Sequence, residues 1–238
     1  MDHSEHLNGA VAALAAGGTV FASFAPADIG NAQAMAGGPY DAVVFEMEHN
    51  PFDVAALRIS LQFLLDRRAI AAQGDVRPQV TPFVRIPANG SEMNQWLAKQ
   101  VLDAGVYGVI WPHVSTVREA RNAVAACRYP RPATAPGYDP PGLRGDGPFT
   151  AARYWGVDVG EYYRRADTWP LAPNGDILVM NGNDGDAVEI SPQGKQVATR
   201  TLVKNGAGDL FGVTVAPGGQ ELFFGNDGTN AVDMSPVG

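Results

Sequence analysis

The stretch Val43–Asp53, VVFEMEHNPFD, carries a short apolar run into Glu46, Glu48 and His49, and then a Pro-Phe-Asp step that opens a helix. In an α/β protein the carboxyl end of a strand is where chemistry sits. Two carboxylates flanking an imidazole at such an end can orient the histidine as a base or hold water on a metal.

Working outward, the same strand-then-helix rhythm recurs. Upstream, Thr19–Ala25 (TVFASFA) is β-rich and is followed by Pro26 and an Ala-rich segment to Gly38. Tyr40–Met47 is the second strand, and Asp53–Ile70 carries Leu57, Leu61, Leu64 and Leu65 at helical spacing. Pro82–Ile86 (PFVRI) is a third strand that brings Arg85 to its end. Ser91 reads as the N-cap of the next helix, with Glu92 in the first turn and Gly105 at its close. Val106–Val114 is a fourth strand, and Ser115-Thr116 caps a helix over Val117–Cys127 that stops before the Pro-rich YPRPATAP loop.

Strand followed by helix, four times in succession, means βαβ units and a parallel sheet. No Gly-x-Gly-x-x-Gly follows the first strand, so a dinucleotide-binding sheet is not favoured. The spacing suits a (β/α)8 TIM-barrel-like domain, here partial, whose mouth would gather Glu46, Glu48, His49, Arg85 and His113. The aromatic and basic segment Ala151–Asp167 reads as a helix or helical pair covering that mouth. Arg144-Gly145-Asp146 is a tripeptide that recurs by chance and is not taken as an adhesion motif.

From Pro173 the composition shifts to Gly, Asn, Asp, Thr and Val, with turn dipeptides at close intervals. Short strands between them form an antiparallel meander. APNGDIL (172–178) is echoed by APGGQEL (216–222), and NDGDAV (183–188) by NDGTNAV (226–232). That 43–44-residue offset is the length of a propeller blade, repeated too few times to close a ring. The division expected is therefore 1–172, a truncated βα barrel, and 173–238, a propeller-like repeat fragment. Asn183–Asp186 looks like a calcium loop, but Asp-Gly turns between strands explain it better.

With a formal net charge of −8, phosphate-backbone binding is disfavoured, so no nucleic-acid partner is expected. Cys127 is the only cysteine, which excludes a disulfide framework or cysteine metal site within one chain. The first residues lack the basic region of a signal peptide, and no apolar run is long enough to span a bilayer. A cytoplasmic protein without a membrane partner is expected.

Two resemblances rest on these residues. FEMEHNPFD, PFVRIP, GVIWPHVSTVREARNAVAACRYP, GLRGDGPFTAARYWG and EYYRRADTWPL, in order over about residues 11–173, resemble the HpcH/HpaI aldolase and citrate lyase family of class II pyruvate aldolases. The resemblance implies a (β/α)8 barrel that makes or cleaves carbon–carbon bonds beside a 2-keto-acid carbonyl. It implies a small keto acid and an aldehyde as partners, a divalent cofactor (Mg2+, Mn2+ or Co2+), and a homo-oligomer. By the same resemblance His49 is the acid/base, Glu46 orients it, and Arg85 binds the substrate carbonyl and its enolate. Glu48 is left for the metal's second shell. The family's metal-binding glutamate and aspartate are not found where they would fall, and Gly208-Asp209-Leu210 is a poor substitute. Residues 173–237 resemble NHL or YncE-like β-propeller repeats through PNGDILV, NGNDGDAVEISPQGK and LFGVTVAPGGQELFFGNDGTN. Two functions follow as expectations: a metal-dependent carbon–carbon lyase, inactive if its ligand strands are missing, or a non-catalytic chimera with a β-repeat interaction module.

Overall fold

Four strands lie side by side in chain order, each parallel to the next: β1 (Ala22–Ala25), β2 (Ala42–Glu46), β3 (Thr81–Arg85) and β4 (Gly108–Ile110). This is the strand order of a barrel opened out, and it contains no reversal of the kind a doubly wound sheet uses. The computed structural model describes residues 7–87, 92–135, 138–168, 177–181, 186–190, 196–204, 210–215, 221–226 and 231–236.

Alternation along the strands divides the sheet into two faces. Val43, Phe45 and Val84 are fully buried against Leu57, Leu61, Leu97 and Val101 of the covering helices. On the other face Phe24, Val44, Phe83 and Gly108 stand in register across all four strands. That second face is only partly covered, with Phe24 52 % and Ile110 37 % exposed.

The connecting helices are set by their caps. Asp28 accepts from the Asn31 N–H to start α2 (Ile29–Ala36), and Asp53 accepts from Ala55 and Ala56 to start α3 (Val54–Leu64). α1 (Gly9–Ala15) precedes them; its Asn8 cap donates to the Tyr107 carbonyl, which seats it at the amino end of the sheet. The single helix expected over Asp53–Ile70 is two. Leu65 is extended, and Asp66 caps a new helix, α4 (Arg67–Gln73), by accepting from Arg68 and Ala69. An aspartate that satisfies the free N–H groups of a fresh turn competes with continuing the old one.

α5 (Gln95–Ala104) begins later than the Ser91 cap predicted, because Met93 sits at φ 53°, a left-handed conformation no helix contains. Ser91 itself lies outside the described residues. The fourth strand is shorter than Val106–Val114, for Pro112 and a left-handed His113 (φ 55°) turn the chain away. α6 (Val117–Cys127) starts with a capping box: Thr116 accepts from the Glu119 N–H, and Glu119 accepts from the Thr116 N–H.

α7 (Phe149–Trp155) and α8 (Val159–Thr168) are the expected helical pair, but they do not cover the mouth. Trp155 stacks on Tyr107 at 4.5 Å and donates to the Gly105 carbonyl at 2.8 Å, both residues lying before β4 at the sheet's amino end. Their aromatic side chains carry them there: Trp155 packs on Tyr107, and Tyr162 packs in turn against Trp155 and Tyr129, all of them buried. Arg144 is buried, donating to Asp103 and the Tyr162 hydroxyl with its guanidinium over the Tyr129 ring, so the Arg-Gly-Asp tripeptide is a packing element.

The later strands form two antiparallel three-stranded sheets. β5 (Ile177–Asn181), β6 (Asp186–Ile190) and β7 (Gln196–Thr201) make one. β8 (Leu210–Val215), β9 (Glu221–Asn226) and β10 (Ala231–Pro236) make the other. Asn183-Asp184-Gly185 and Gly208-Asp209 lie outside the described residues. No described helix is long and apolar enough to cross a membrane.

Candidate active site

The carboxyl end of the parallel sheet collects charge. Glu46 is the last residue of β2 and Arg85 the last of β3, and they are register partners. Because cross-strand neighbours share a face, the guanidinium reaches the carboxylate directly: Arg85 Nε and Nη2 approach Glu46 Oε2 at 2.6 and 2.5 Å. The other oxygen, Oε1, accepts from the backbone N–H groups of Glu48 (2.7 Å) and His49 (3.0 Å). Glu46 therefore folds the chain beyond its own strand into a tight turn and ties that turn to β3. Burial pushes its carboxyl up, but Arg85 and the two backbone donors outweigh that and hold it below the ordinary 4.5.

Glu48 is where the remaining groups converge. Arg85 Nε lies 3.1 Å from its Oε2, His49 Nε2 lies 3.5 Å from the same oxygen, and His113 Nε2 lies 3.3 Å from Oε1. Glu48 is nearly buried, at 9 % exposed, whereas His49 at 72 % faces open solvent. The structure thus brings together all five residues expected at the mouth. His113 reaches Glu48 because its left-handed backbone swings the loop after β4 inward; such a conformation costs about 1–3 kcal/mol and is held only where surroundings impose it. Nothing in the sequence signals that pairing.

Phe24 is the residue that sequence reading missed. It lies on the same sheet face as Arg85, whose guanidinium sits over the ring at 4.8 Å from its centroid. Alternation in Thr19–Ala25 was the available signal, since it puts Phe24 on one face and Ala25 on the other. Phe52 and Trp96, edge to face at 5.9 Å, join the turn after His49 to the start of α5. Cys127 is not part of this site, and burial pushes its thiol up, away from nucleophilic use.

A divalent metal fits this donor set poorly. Among the described residues no group of three or more His, Cys, Asp or Glu side chains is arranged to hold a metal ion; Glu48, His49 and His113 cluster, but each imidazole faces a different Glu48 oxygen. Both Glu46 oxygens are occupied by donors, and Glu48 is shared among Arg85 and two imidazoles.

Comparison with known proteins adds lineage to this geometry. Residues 20–139, half of the chain, match the family described as HpcH/HpaI aldolase/citrate lyase. A hydroxypyruvate/pyruvate aldolase of Roseovarius nubinhibens is 31 % identical over 156 residues, covering 65 % of this chain and 51 % of that protein. A pyruvate aldolase of Rhizobium etli is 35 % identical over 136 residues, covering 57 % of this chain and 44 % of that one. Among solved structures, an HpcH/HpaI aldolase/citrate lyase family protein from Burkholderia cenocepacia is 28 % identical with a TM-score of 0.46, covering 63 % of this chain and 51 % of that one. The chain spans about half the length of these relatives.

Proposed function

This chain belongs to the HpcH/HpaI aldolase/citrate lyase family, and from that premise we propose that its mouth is a carbon–carbon lyase site for a 2-keto acid. The observation that carries the reading is the double engagement of Glu46, which fixes a guanidinium and the turn bearing an exposed imidazole from one buried carboxylate. In the cleavage direction a base removes the proton of the substrate's 4-hydroxyl. The C3–C4 bond then breaks, an aldehyde leaves, and the electron pair becomes a pyruvate enolate that is protonated at C3. His49 is the proton carrier, with Glu48 beside its Nε2. Arg85 is the cation for the keto-acid oxygen as it becomes an enolate, and Glu46 positions both.

The family is generally dependent on a divalent metal, and the described residues of this chain do not assemble a ligand set for one. No step is therefore assigned to a metal.

A second reading is supported by the strands after Ile177. The 44-residue echo matches β5 to β9 and β6 to β10, and in this reading the two antiparallel sheets are successive copies of one unit. Counted in that frame, β8 leads its unit and β7 trails its own, which gives a four-stranded blade of which each sheet holds three strands. The place of a leading strand before β5 falls at the end of α8. In this reading 1–172 and 173–238 are separate units, the second a propeller-type interaction module, and the parallel sheet keeps half of a site without turnover.

Solvent deuterium exchange at the methyl group of pyruvate separates the two. Exchange above the uncatalysed rate, with and without added Mn2+ or Co2+, that disappears in His49→Ala supports the lyase. A folded protein that exchanges no deuterium under either condition overturns it.

A further inference from the structure

We infer that two copies of this chain join their parallel sheets edge to edge into one eight-stranded barrel, with the twofold axis along the barrel axis. The inference does not rest on the lyase reading.

The first observation is the edges. Among the described residues β1 pairs only with β2 and β4 only with β3, so each outer strand presents a row of unpaired backbone groups, a template for another strand. All four strands run the same way. A twofold axis parallel to them lays β4 of one copy beside β1 of the other in parallel, twice, and closes the assembly with a self-complementary interface.

The second is the open face. All-parallel sheets bury both faces, yet Phe24 and Ile110 on this one are 52 % and 37 % exposed while Val43, Phe45 and Val84 on the helix-covered face are fully buried. Four strands from each copy make eight, the number whose interior side chains just fill. Phe24, Val44, Phe83 and Ile110, taken twice, are an apolar filling of that kind.

The third is apolar exposure at the edges themselves: Phe21, just before β1, is 65 % exposed, beside Phe24 on β1 and Ile110 on β4. Large apolar side chains left in water at two parallel strand edges fit a second copy of the same sheet. Closure by a twofold also sets a second Glu46, Glu48 and His49 on the opposite side of the same mouth.

Sedimentation velocity of the full chain from about 1 to 100 µM tests the assembly. The expected species is a dimer. Phe24→Asp and Ile110→Lys should each weaken association by at least tenfold with an unchanged far-ultraviolet spectrum, because both side chains are exposed in the single chain. Ile59→Lys, on an exposed position of α3, should leave the dimer intact. A Phe24→Cys, Ile110→Cys double variant should yield covalent dimers on oxidation. A monomer throughout the range overturns the inference, and if its β1 and β4 amides resist hydrogen exchange, the chain's own later strands cover the edges instead. A dimer indifferent to Phe24→Asp and Ile110→Lys overturns it as well.

Discussion

Replacing Glu46 by glutamine isolates what the buried carboxylate does. The two side chains have nearly the same shape, and the amide oxygen of the glutamine still accepts from the Glu48 and His49 backbone, as Oε1 does now. What fails is the other side, where an NH2 would face the Nε and Nη2 donors that now lie 2.6 and 2.5 Å from Oε2. A hydrogen bond to a charged group is worth about 1.5–3 kcal/mol, and two to one oxygen do not simply add. Breaking a buried pair outright costs about 3–5 kcal/mol, but Arg85 retains Glu48 at 3.1 Å, so the full figure is not reached. The expected loss for Glu46→Gln is about 2–3 kcal/mol, a fall in the urea midpoint near 1 M at a slope of ~2–3 kcal/mol/M.

Acid should erase the difference. The folded Glu46 carboxyl is held below its ordinary 4.5, so its contribution is present above that value and is lost as pH falls through the lower folded value. Glutamine does not titrate, and the gap between the two proteins should narrow below about pH 4. Urea unfolding followed by circular dichroism at pH 7 and pH 3 provides both numbers. A gap under about 0.5 kcal/mol at pH 7, the range of ordinary surface changes, or a gap that widens on acidification, would refute the account of Glu46 as the tie between β2, β3 and the following turn.

Other positions give independent checks. Gly105→Ala places a Cβ 2.8 Å from the Tyr154 ring at φ 117°, and strain of about 1–3 kcal/mol should appear in thermal unfolding. Thr116→Ala removes one half of the α6 capping box and should cost about 1 kcal/mol, read from the same denaturant curve. Trp155→Ala empties a fully buried position stacked on Tyr107 and should cost about 3–5 kcal/mol. Arg85→Lys keeps the charge but not the fork that meets both carboxylates, so stability should fall while arginine's second contact, to Glu48, is lost.

The parallel sheet was legible because each strand is an apolar run that stops at a polar residue followed by a helix signal. Glu46, Glu48, His49 and Arg85 stood at those stops, and only the pairing register was needed to bring them together. The break at Leu65-Asp66 was hidden by a leucine spacing that continues across it, since periodicity reports which face is apolar and not whether the backbone persists. The placement of α7 and α8 was misread for a related reason: aromatic and basic residues suit a mouth as well as a core, and only contact with Tyr107 decides. His113 was counted at the mouth by its position after β4, but its approach to Glu48 depends on a left-handed backbone that residue type does not announce.

The pairing of Glu46 with Arg85 has a consequence for how the sheet assembles. AVVFE and TPFVR are apolar for most of their length, and a slip of two residues would keep every side chain on its own face. Such a slip sets Glu46 against Phe83 and strands Arg85 without its cross-strand partner, whereas the observed alignment joins them. The two charges thus act as an alignment key for strands whose apolar residues barely distinguish one pairing from the next. A Glu46 variant disturbs strand pairing and the hold on Arg85 and the His49 turn in one stroke. The charge-exchanged double variant, Glu46→Arg with Arg85→Glu, separates them by restoring the key while moving the mouth's cation to the other strand.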